Sequence, residues 1–262
     1  MGRSVIDLHS HILPGIDDGP GDLEGAIALA RAAVADGTEV IAATPHVRED
    51  HPAVHLEELA DRCARVKEAL AEHEIPLDVV VGAEVDVVWT RTASDEELRL
   101  ATYGQAGTDM LLETPYGPLP PGFEDWVFSR LSLEGIRVTL AHPERNMSFQ
   151  QSPERLAEMV SRGVLVQVTA GSLVGKRKSE SRKLARRLVD EGLAHVIASD
   201  THRAAEFRPP NLSVGVAEAS SAGEERAHWM VTAAPRAILD GNPLPPMPEV
   251  ARKGRLGGLL RG

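Results

Sequence analysis

The chain has 262 residues, a net charge of −11 and a pI near 5.4, with 26% charged and 42% hydrophobic side chains. These proportions are ordinary for a globular protein, and the acidity excludes a general nucleic-acid binder, whose affinity rests on neutralising phosphates. No apolar run approaches the ~20 residues of a membrane span, and a single cysteine, Cys63, excludes an intramolecular disulfide and fits a reducing compartment.

Met1-Gly2-Arg3-Ser4 leads straight into the first apolar, β-branched run, Val5–Leu8, so no secretory leader is expected and the cytoplasm is the expected location. His9 and His11 end that strand, and Asp17 and Asp18 lie in the loop after it. A helix follows over Asp22–Ala35, with Leu23, Ala26, Ile27, Ala30, Ala33 and Val34 at helical spacing behind an Asp22 start signal. The second strand, Glu39–Ala43, runs into Thr44-Pro45-His46. Helix Leu56–Glu72 leads to strand Asp78–Gly82 and then Glu84, and strand Met110–Leu112 ends on Glu113. Helix Phe123–Leu133 precedes strand Arg137–Leu140 and His142. Helix Pro153–Ser161, strand Val164–Val168 and helix Ser179–Glu191 lead to the seventh strand, His195–Ala198, followed by Asp200 and His202. Gly37, Gly135, Gly163 and Gly192 each stand after a helix and before a strand, where a left-handed cap belongs. After His202 the alternation stops. Pro209-Pro210 introduces one or two helices through Ala227–Leu239, then a Pro- and Gly-rich end carries Arg252, Lys253, Arg255 and Arg261. The expected organisation is one domain over 1–240 and a basic tail over 241–262.

Seven β-then-α units imply parallel strands. Six of the seven deliver His, Asp or Glu at their C-terminal ends, where parallel β/α proteins build active sites. One histidine at a strand end is more often a hydrogen-bonded core residue; convergence of six ends points to a metal site. Only a barrel brings all seven ends around one cavity, so the expected fold is α/β, a closed or nearly closed barrel of seven β/α units. Imidazoles and carboxylates without thiolates suit manganese, iron or zinc. Eight or nine ligands exceed the needs of one ion, so two or three divalent ions would share bridging carboxylates. Four carboxylates bring about −4 and three divalent ions about +6, which leaves a positive pocket suited to phosphate.

Asp7-Leu8-His9-Ser10-His11-Ile12-Leu13-Pro14-Gly15-Ile16-Asp17-Asp18-Gly19 resembles the opening motif of the polymerase-and-histidinol-phosphatase (PHP) superfamily. With Ala42–His46, Gly82–Glu84, Ala141–Asn146, Gln167–Gly171 and Ala198–His202, the chain from about Ile6 to Leu239 is similar to the bacterial manganese-dependent protein-tyrosine phosphatases of capsule and exopolysaccharide operons. The resemblance implies a distorted (β/α)7 TIM-like PHP barrel with a trinuclear site, Mn2+ being the first expectation and iron or zinc the alternatives. It implies that His9, His11, Glu84 and Asp200 hold one ion, that His46, His142 and a bridging Glu84 hold the second, and that Asp18, Glu113 and His202 hold the third. It selects Asp18 over Asp17, which is left to support a ligand from behind or to structure the loop. Arg145 and Arg208 match the family's phosphate-binding arginines. Two positions depart from the pattern: Thr114 stands where an aromatic is usual, and Arg203 where an asparagine is usual. Aromatics make up only 3% of the chain, few for a pocket that reads a tyrosyl ring.

The implied chemistry is hydrolysis of a phosphomonoester by metal-activated water. Arg145 and Arg208 would neutralise the phosphoryl group, and His202 or a water would protonate the leaving oxygen. The implied partner is a phosphotyrosine-bearing protein, the tail of an autokinase that regulates capsular or exopolysaccharide synthesis. A small phosphomonoester such as histidinol phosphate is the alternative, and a non-catalytic metal-binding scaffold the third reading. Neither nucleic acid nor membrane insertion is expected, and a homo-oligomer is left open. His51, His55, His73, His195 and His228 are set aside from the site, with the pocket rim as the alternative for His51 and His55. Trp89, Trp126 and Trp229 are read as packing residues before substrate platforms, and Lys176-Arg177-Lys178 as a solvated loop, with docking of an acidic, tyrosine-rich peptide as the alternative.

Overall fold

Runs of β-branched and small apolar residues build the parallel strands of a computed structural model that describes residues 4–115, 117–131 and 135–249. The strands are β1 (Ile6–Ser10), β2 (Val40–Ala43), β3 (His46–Val47), β4 (Asp78–Val81), β5 (Glu84–Asp86), β6 (Asp109–Glu113), β7 (Arg137–Ala141), β8 (Leu165–Thr169) and β9 (Val196–Ala198). Two sheets result, ordered β1-β2-β4 and β3-β5-β6-β7-β8-β9, with every ladder parallel. All seven expected strands are present. The two additional ones, β3 and β5, prolong β2 and β4 past Thr44-Pro45 and Gly82-Ala83. Pro45 has no N–H to give to a ladder, yet its carbonyl accepts from Glu84 N at 3.0 Å, so the second and third strands stay paired across the break and His46 comes opposite Glu84.

The ring is not one closed ladder. Between β9 and β1 the backbone of Met230-Val231 is wedged: Met230 O accepts from Ile197 N at 3.2 Å and Val231 O from Ile6 N at 2.8 Å. At the opposite end the seam closes through a Ser10–Thr201 bridge, with Asp200 N donating to His9 O at 3.0 Å and His11 N to Thr201 O at 2.9 Å. The barrel is distorted because one seam is shared between a strand bridge and an inserted turn.

Alternation along the strands separates two cores. Ile6, Leu8, Val40, Ala42, Leu111, Leu165 and Val196 face inward and pack with Tyr103 and Ile238. Met110, Leu112, Val138, Val166 and Ile197 face outward against the helices. Those helices begin where the sequence signals them. Asp22 caps Leu23–Ala35 by accepting from Gly25 N at 2.9 Å, and Ser179 caps Glu180–Asp190 by accepting from Arg182 N at 3.3 Å. Gly37, Gly135, Gly163 and Gly192 all take positive φ, at 101°, 72°, 97° and 73°. The helix expected over Phe123–Leu133 is α-helical only over Phe123–Trp126 and continues as a π-helix over Val127–Leu131; Leu133 lies outside the described residues. Short helices at Asp95–Leu100, Met147–Gln151 and Ala170–Val174 were not expected from periodicity, since five or six residues carry too little of it.

Past Leu239, residues 241–249 pack onto the barrel: Asn242 N donates to Ala237 O at 2.8 Å, and Arg226 Nη2 donates to Pro248 O at 2.7 Å. The basic positions Arg252, Lys253, Arg255 and Arg261 of the expected tail lie outside the described residues, as does Gly2. Among the described residues no helix is long and apolar enough to cross a membrane.

Candidate metal centre

The polar ends of the strands meet at one end of the barrel. His9 lies on β1 and His11 just after it, His46 opens β3, Glu84 opens β5 and Glu113 closes β6. His142 follows β7, and Asp200 and His202 follow β9. The register between β1 and β2 shifts between Asp7 and Ser10, so the inward face carried by Ile6 and Leu8 passes to His9 and His11. His142 and Asp200 sit in the left-handed region, with φ 32° and 55°. Such backbone costs a non-glycine residue about 1–2 kcal/mol and gathers at functional sites. All eight of these side chains are buried; Asp18, from the loop after β1, has a side chain 44% exposed.

His9 Nε2 lies 3.1 Å from Glu84 Oε2, 3.4 Å from Asp200 Oδ1 and 3.4 Å from His11 Nε2. His11 Nε2 lies 3.4 Å from the same Glu84 oxygen and 3.5 Å from the same Asp200 oxygen. Ligands about 2.1 Å from a tetrahedral ion stand about 3.4 Å apart, so these four atoms have the spacing of one coordination shell. A second group forms around His46, whose Nδ1 is 3.0 Å from Glu84 Oε2 and 3.6 Å from Glu113 Oε2. His142 Nε2 reaches Glu84 Oε1 at 2.8 Å and Glu113 Oε1 at 4.0 Å. The third gathers on Asp18 Oδ1, 3.1 Å from His202 Nε2, 3.7 Å from His46 Nε2 and 3.9 Å from His11 Nδ1. Glu84 thus stands between two groups. Glu113 groups with His46 and Glu84, and Asp18 with His11, His46 and His202.

These residues fit divalent ions. His46 Nδ1 and Nε2 and Glu84 Oε2 are buried without a hydrogen-bond partner, a costly state for polar atoms unless something else engages them. The nitrogen and oxygen donor set, without sulfur, suits manganese, iron or zinc. Burial opposes charge on Glu84, yet His9 and His46 outweigh it and hold the carboxyl well below its ordinary range. Asp200 is likewise opposed by burial and held well down by His9 and Arg145.

An outer layer sets the ring orientations. Asp17 Oδ2 accepts from His11 Nδ1 at 2.7 Å and from His46 N at 3.2 Å, while its Oδ1 accepts from Gly19 N at 3.0 Å. Gln167 Oε1 accepts from His9 Nδ1 at 3.0 Å and from His142 N at 3.3 Å. Asp200 O accepts from His202 Nδ1 at 2.9 Å. Each of these acceptors favours a proton on Nδ1, the tautomer that leaves the Nε2 lone pair for a metal ion. Asp7, beneath the site, accepts from Ser199 N at 3.0 Å and from His9 N at 3.3 Å; burial pushes its carboxyl up to about 6.

Beside the cluster is a cavity of about 70 Å³ lined by Glu113, Thr114, Pro115, His142, Arg145, Asn146 and Arg208. Arg145 Nη1 lies 2.5 Å from Asp200 Oδ2, and Arg208 Nη1 lies 3.3 Å from that oxygen and 3.2 Å from His202 Nε2. Asn146 Nδ2 donates to Pro115 O at 3.0 Å and holds the two loops of the cavity together. Sequence reasoning missed Arg48, whose Nη1 reaches Glu113 Oε2 at 3.1 Å. Its two-residue spacing from His46 along an extended stretch was the available signal. His51, set aside from the site, stacks on His46 with ring centroids 5.0 Å apart and planes at 13°. His195 is structural: its Nδ1 accepts from Val166 N at 3.2 Å. Lys176, Arg177 and Lys178 are exposed.

A family model for capsular polysaccharide synthesis, CpsB/CapC, matches residues 5–240. The tyrosine-protein phosphatase YwqE of Bacillus subtilis (strain 168) is 36% identical over 202 residues, covering 76% of this chain and 77% of YwqE. The tyrosine-protein phosphatase CpsB of Streptococcus pneumoniae is 26% identical over 216 residues, covering 79% of this chain and 86% of CpsB. One of the crystal structures of YwqE and CpsB, described as unique metal-dependent tyrosine phosphatases, aligns with a TM-score of 0.81 and 29% identity over 95% of this chain and 100% of that one.

Proposed function

Since this chain belongs to the CpsB/CapC family of capsular polysaccharide synthesis, we propose that it is a metal-dependent protein-tyrosine phosphatase. The observation that carries the reading is the juxtaposition of nine converging ligand-type side chains with two arginines on one cavity. The ligand set we assign is His9, His11, Asp18, His46, Glu84, Glu113, His142, Asp200 and His202, holding two or three ions with Mn2+ first. We place the chain in the wider PHP superfamily on its motifs, and in the cytoplasm.

When bound by these residues, divalent ions would supply Lewis acidity, lowering the pKa of water and balancing charge on the phosphoryl oxygens. The reaction is hydrolysis: a water oxygen bonds to phosphorus, the bond to the tyrosyl oxygen breaks, and the phenolate takes up a proton. Arg145 and Arg208 exchange their contacts with Asp200 for phosphoryl oxygens, which guanidinium groups hold in pairs of hydrogen bonds. Asp17 and Gln167 keep His11 and His9 in the tautomer that presents Nε2. Of the two roles expected for His202, the geometry favours the ligand. Its Nδ1 proton is committed to Asp200 O, and burial lowers its titration, so it has no proton ready for a leaving group. No cysteine nucleophile competes: Cys63 is buried and its thiol is pushed up to about 12 by burial. The partner on this reading is a phosphotyrosine-bearing protein, the tail of a tyrosine kinase that governs capsule or exopolysaccharide synthesis.

The test is steady-state kinetics of manganese-loaded protein on a phosphotyrosine peptide, a phosphoserine peptide and histidinol phosphate, with a chelator control. Chelator-sensitive preference for phosphotyrosine is expected. Preference for histidinol phosphate would move the protein into small-molecule metabolism, and retained activity in His142→Ala or Asp200→Ala would remove the metal mechanism.

A further inference from the structure

Five residues, Arg203 to Phe207, loop out between His202 and Arg208. The loop is pinned at its base, where the Arg208 carbonyl accepts from His202 N and from Thr201 Oγ1, each at 2.9 Å. Glu206 and Arg208, on either side of Phe207, take left-handed backbone at φ 67° and 45°. Phe207 N donates to Ala205 O at 2.9 Å, tightening the turn between them. A strained, pinned loop of non-glycine residues fixes the direction of the side chain it carries.

That side chain is an aromatic ring left in the open beside the cavity. Phe207 is 51% exposed, and among the described residues every other Phe, Tyr and Trp is buried or partly buried. Its ring meets His202 edge-on, with centroids 5.5 Å apart and planes at 81°, and the Arg208 guanidinium carbon lies 5.3 Å from its centroid. One neighbour thus belongs to the ligand cluster and the other lines the arginine cavity. Across that cavity stand Thr114 and Pro115. The ring adjoins that cavity through Arg208.

We propose that Phe207 is a specificity-determining residue that packs against the aromatic ring of an aryl phosphomonoester, the tyrosyl ring of the substrate proposed above. The inference rests on the phosphatase reading and deepens it by naming the residue that separates tyrosyl from aliphatic phosphoesters. Edge-to-face or offset contact with a second ring accounts for the preference, because aromatic pairs gain energy beyond their buried area. An aliphatic phosphoester or free phosphate engages the arginines alone.

The experiment uses the full-length, manganese-loaded chain and its Phe207→Ala, Phe207→Leu and Phe207→Tyr variants. It measures kcat and KM on a phosphotyrosine peptide, together with inhibition by phenylphosphonate and by inorganic phosphate. In Phe207→Ala and Phe207→Leu, KM and the phenylphosphonate inhibition constant should each rise about tenfold. Inhibition by inorganic phosphate and kcat should stay within about twofold, and Phe207→Tyr should restore the wild-type values. Equal weakening of phenylphosphonate and inorganic phosphate would overturn the inference in favour of a role through Arg208, and unchanged values in all variants would overturn it outright. A wild-type chain that hydrolyses no aryl phosphate overturns the phosphatase reading and this inference with it. Thermal melts of each variant confirm the fold, since an exposed ring adds little to the core.

Discussion

His11 Nδ1 donates to Asp17 Oδ2 at 2.7 Å, and this bond aims the opposite nitrogen of the ring at Glu84 and Asp200. Two adjacent aspartates therefore act differently. Asp17 is buried behind the histidine and orders it, while Asp18 faces His202 from a half-exposed position. The pair also governs protonation without metal: burial opposes a proton on His11, but Asp17 overrides it and raises the titration well above the ordinary imidazole range.

Removing Asp17 should loosen the metal without removing a ligand. Asp17→Ala is expected to lower manganese affinity about 10–100-fold, the usual cost of losing a residue that orients a ligand. Excess manganese should restore much of kcat. Metal titrations monitored by calorimetry and by activity test this; unchanged affinity would sink the orienting role.

Gly19 closes the same loop. A Cβ there would lie 2.1 Å from the His11 carbonyl oxygen, a backbone atom that cannot yield without moving the histidine. Gly19→Ala is expected to cost about 1–3 kcal/mol, lowering Tm by about 2–4 °C per kcal/mol, and to weaken metal binding. Gly21→Ala, with nothing within 4 Å of the added carbon, is the control that should change neither.

Arg145 carries more than charge. Its Nη1 lies 2.5 Å from Asp200 Oδ2 and its guanidinium lines the cavity. Arg145→Lys keeps the charge but loses the fork, so kcat/KM should fall about 100-fold or more while the fold is retained. Kinetics beside circular dichroism decide the matter; a loss under threefold would remove Arg145 from phosphate binding.

His195 should limit stability in acid. Burial pushes its titration down to about 4, and its Nδ1 must stay unprotonated to accept from Val166 N. An unfolded histidine titrates near 6.5. Between pH 6.5 and 4 the unfolded chain therefore binds the extra proton, and native stability falls as pH falls. The loss amounts to at most about 3 kcal/mol over that window. Urea unfolding at pH 7, 6 and 5, with chelator present to remove any contribution from metal, should show a shallower acid slope in His195→Gln. Parallel slopes would exclude His195 as the cause.

Local signals made much of the fold legible, together with the gathering of the candidate ligands at one end. β-branched runs located the seven main strands, Asp22 marked a helix start, and Gly37, Gly135, Gly163 and Gly192 marked the left-handed turns after helices. Parallel order then forced His9, His46, Glu84, Glu113, His142 and Asp200 to one end, since every strand runs the same way. Less legible was whatever depended on which strand end faces which. The pairing of Arg48 with Glu113, the stacking of His51 on His46 and the hold of Gln167 on His9 join residues 65, 5 and 158 positions apart by contacts that no periodicity records.

By themselves, the spacing of apolar residues and the chemistry of those that follow each run determined a parallel β/α architecture with nitrogen and oxygen ligands at one end. Only the tertiary structure decided which candidate ligands lie together in each group, that Asp17 engages the His11 ring, and that the β9–β1 seam admits Met230-Val231 instead of closing as a ladder. It also decided that Phe207, unremarkable in sequence, stands open beside Arg208. The physical reason is the range of the forces involved. Propensity and periodicity act over a few neighbouring residues, whereas the left-handed backbone at His142 and Asp200 sits where Gln167 and His9, distant in the chain, accept from their N–H groups.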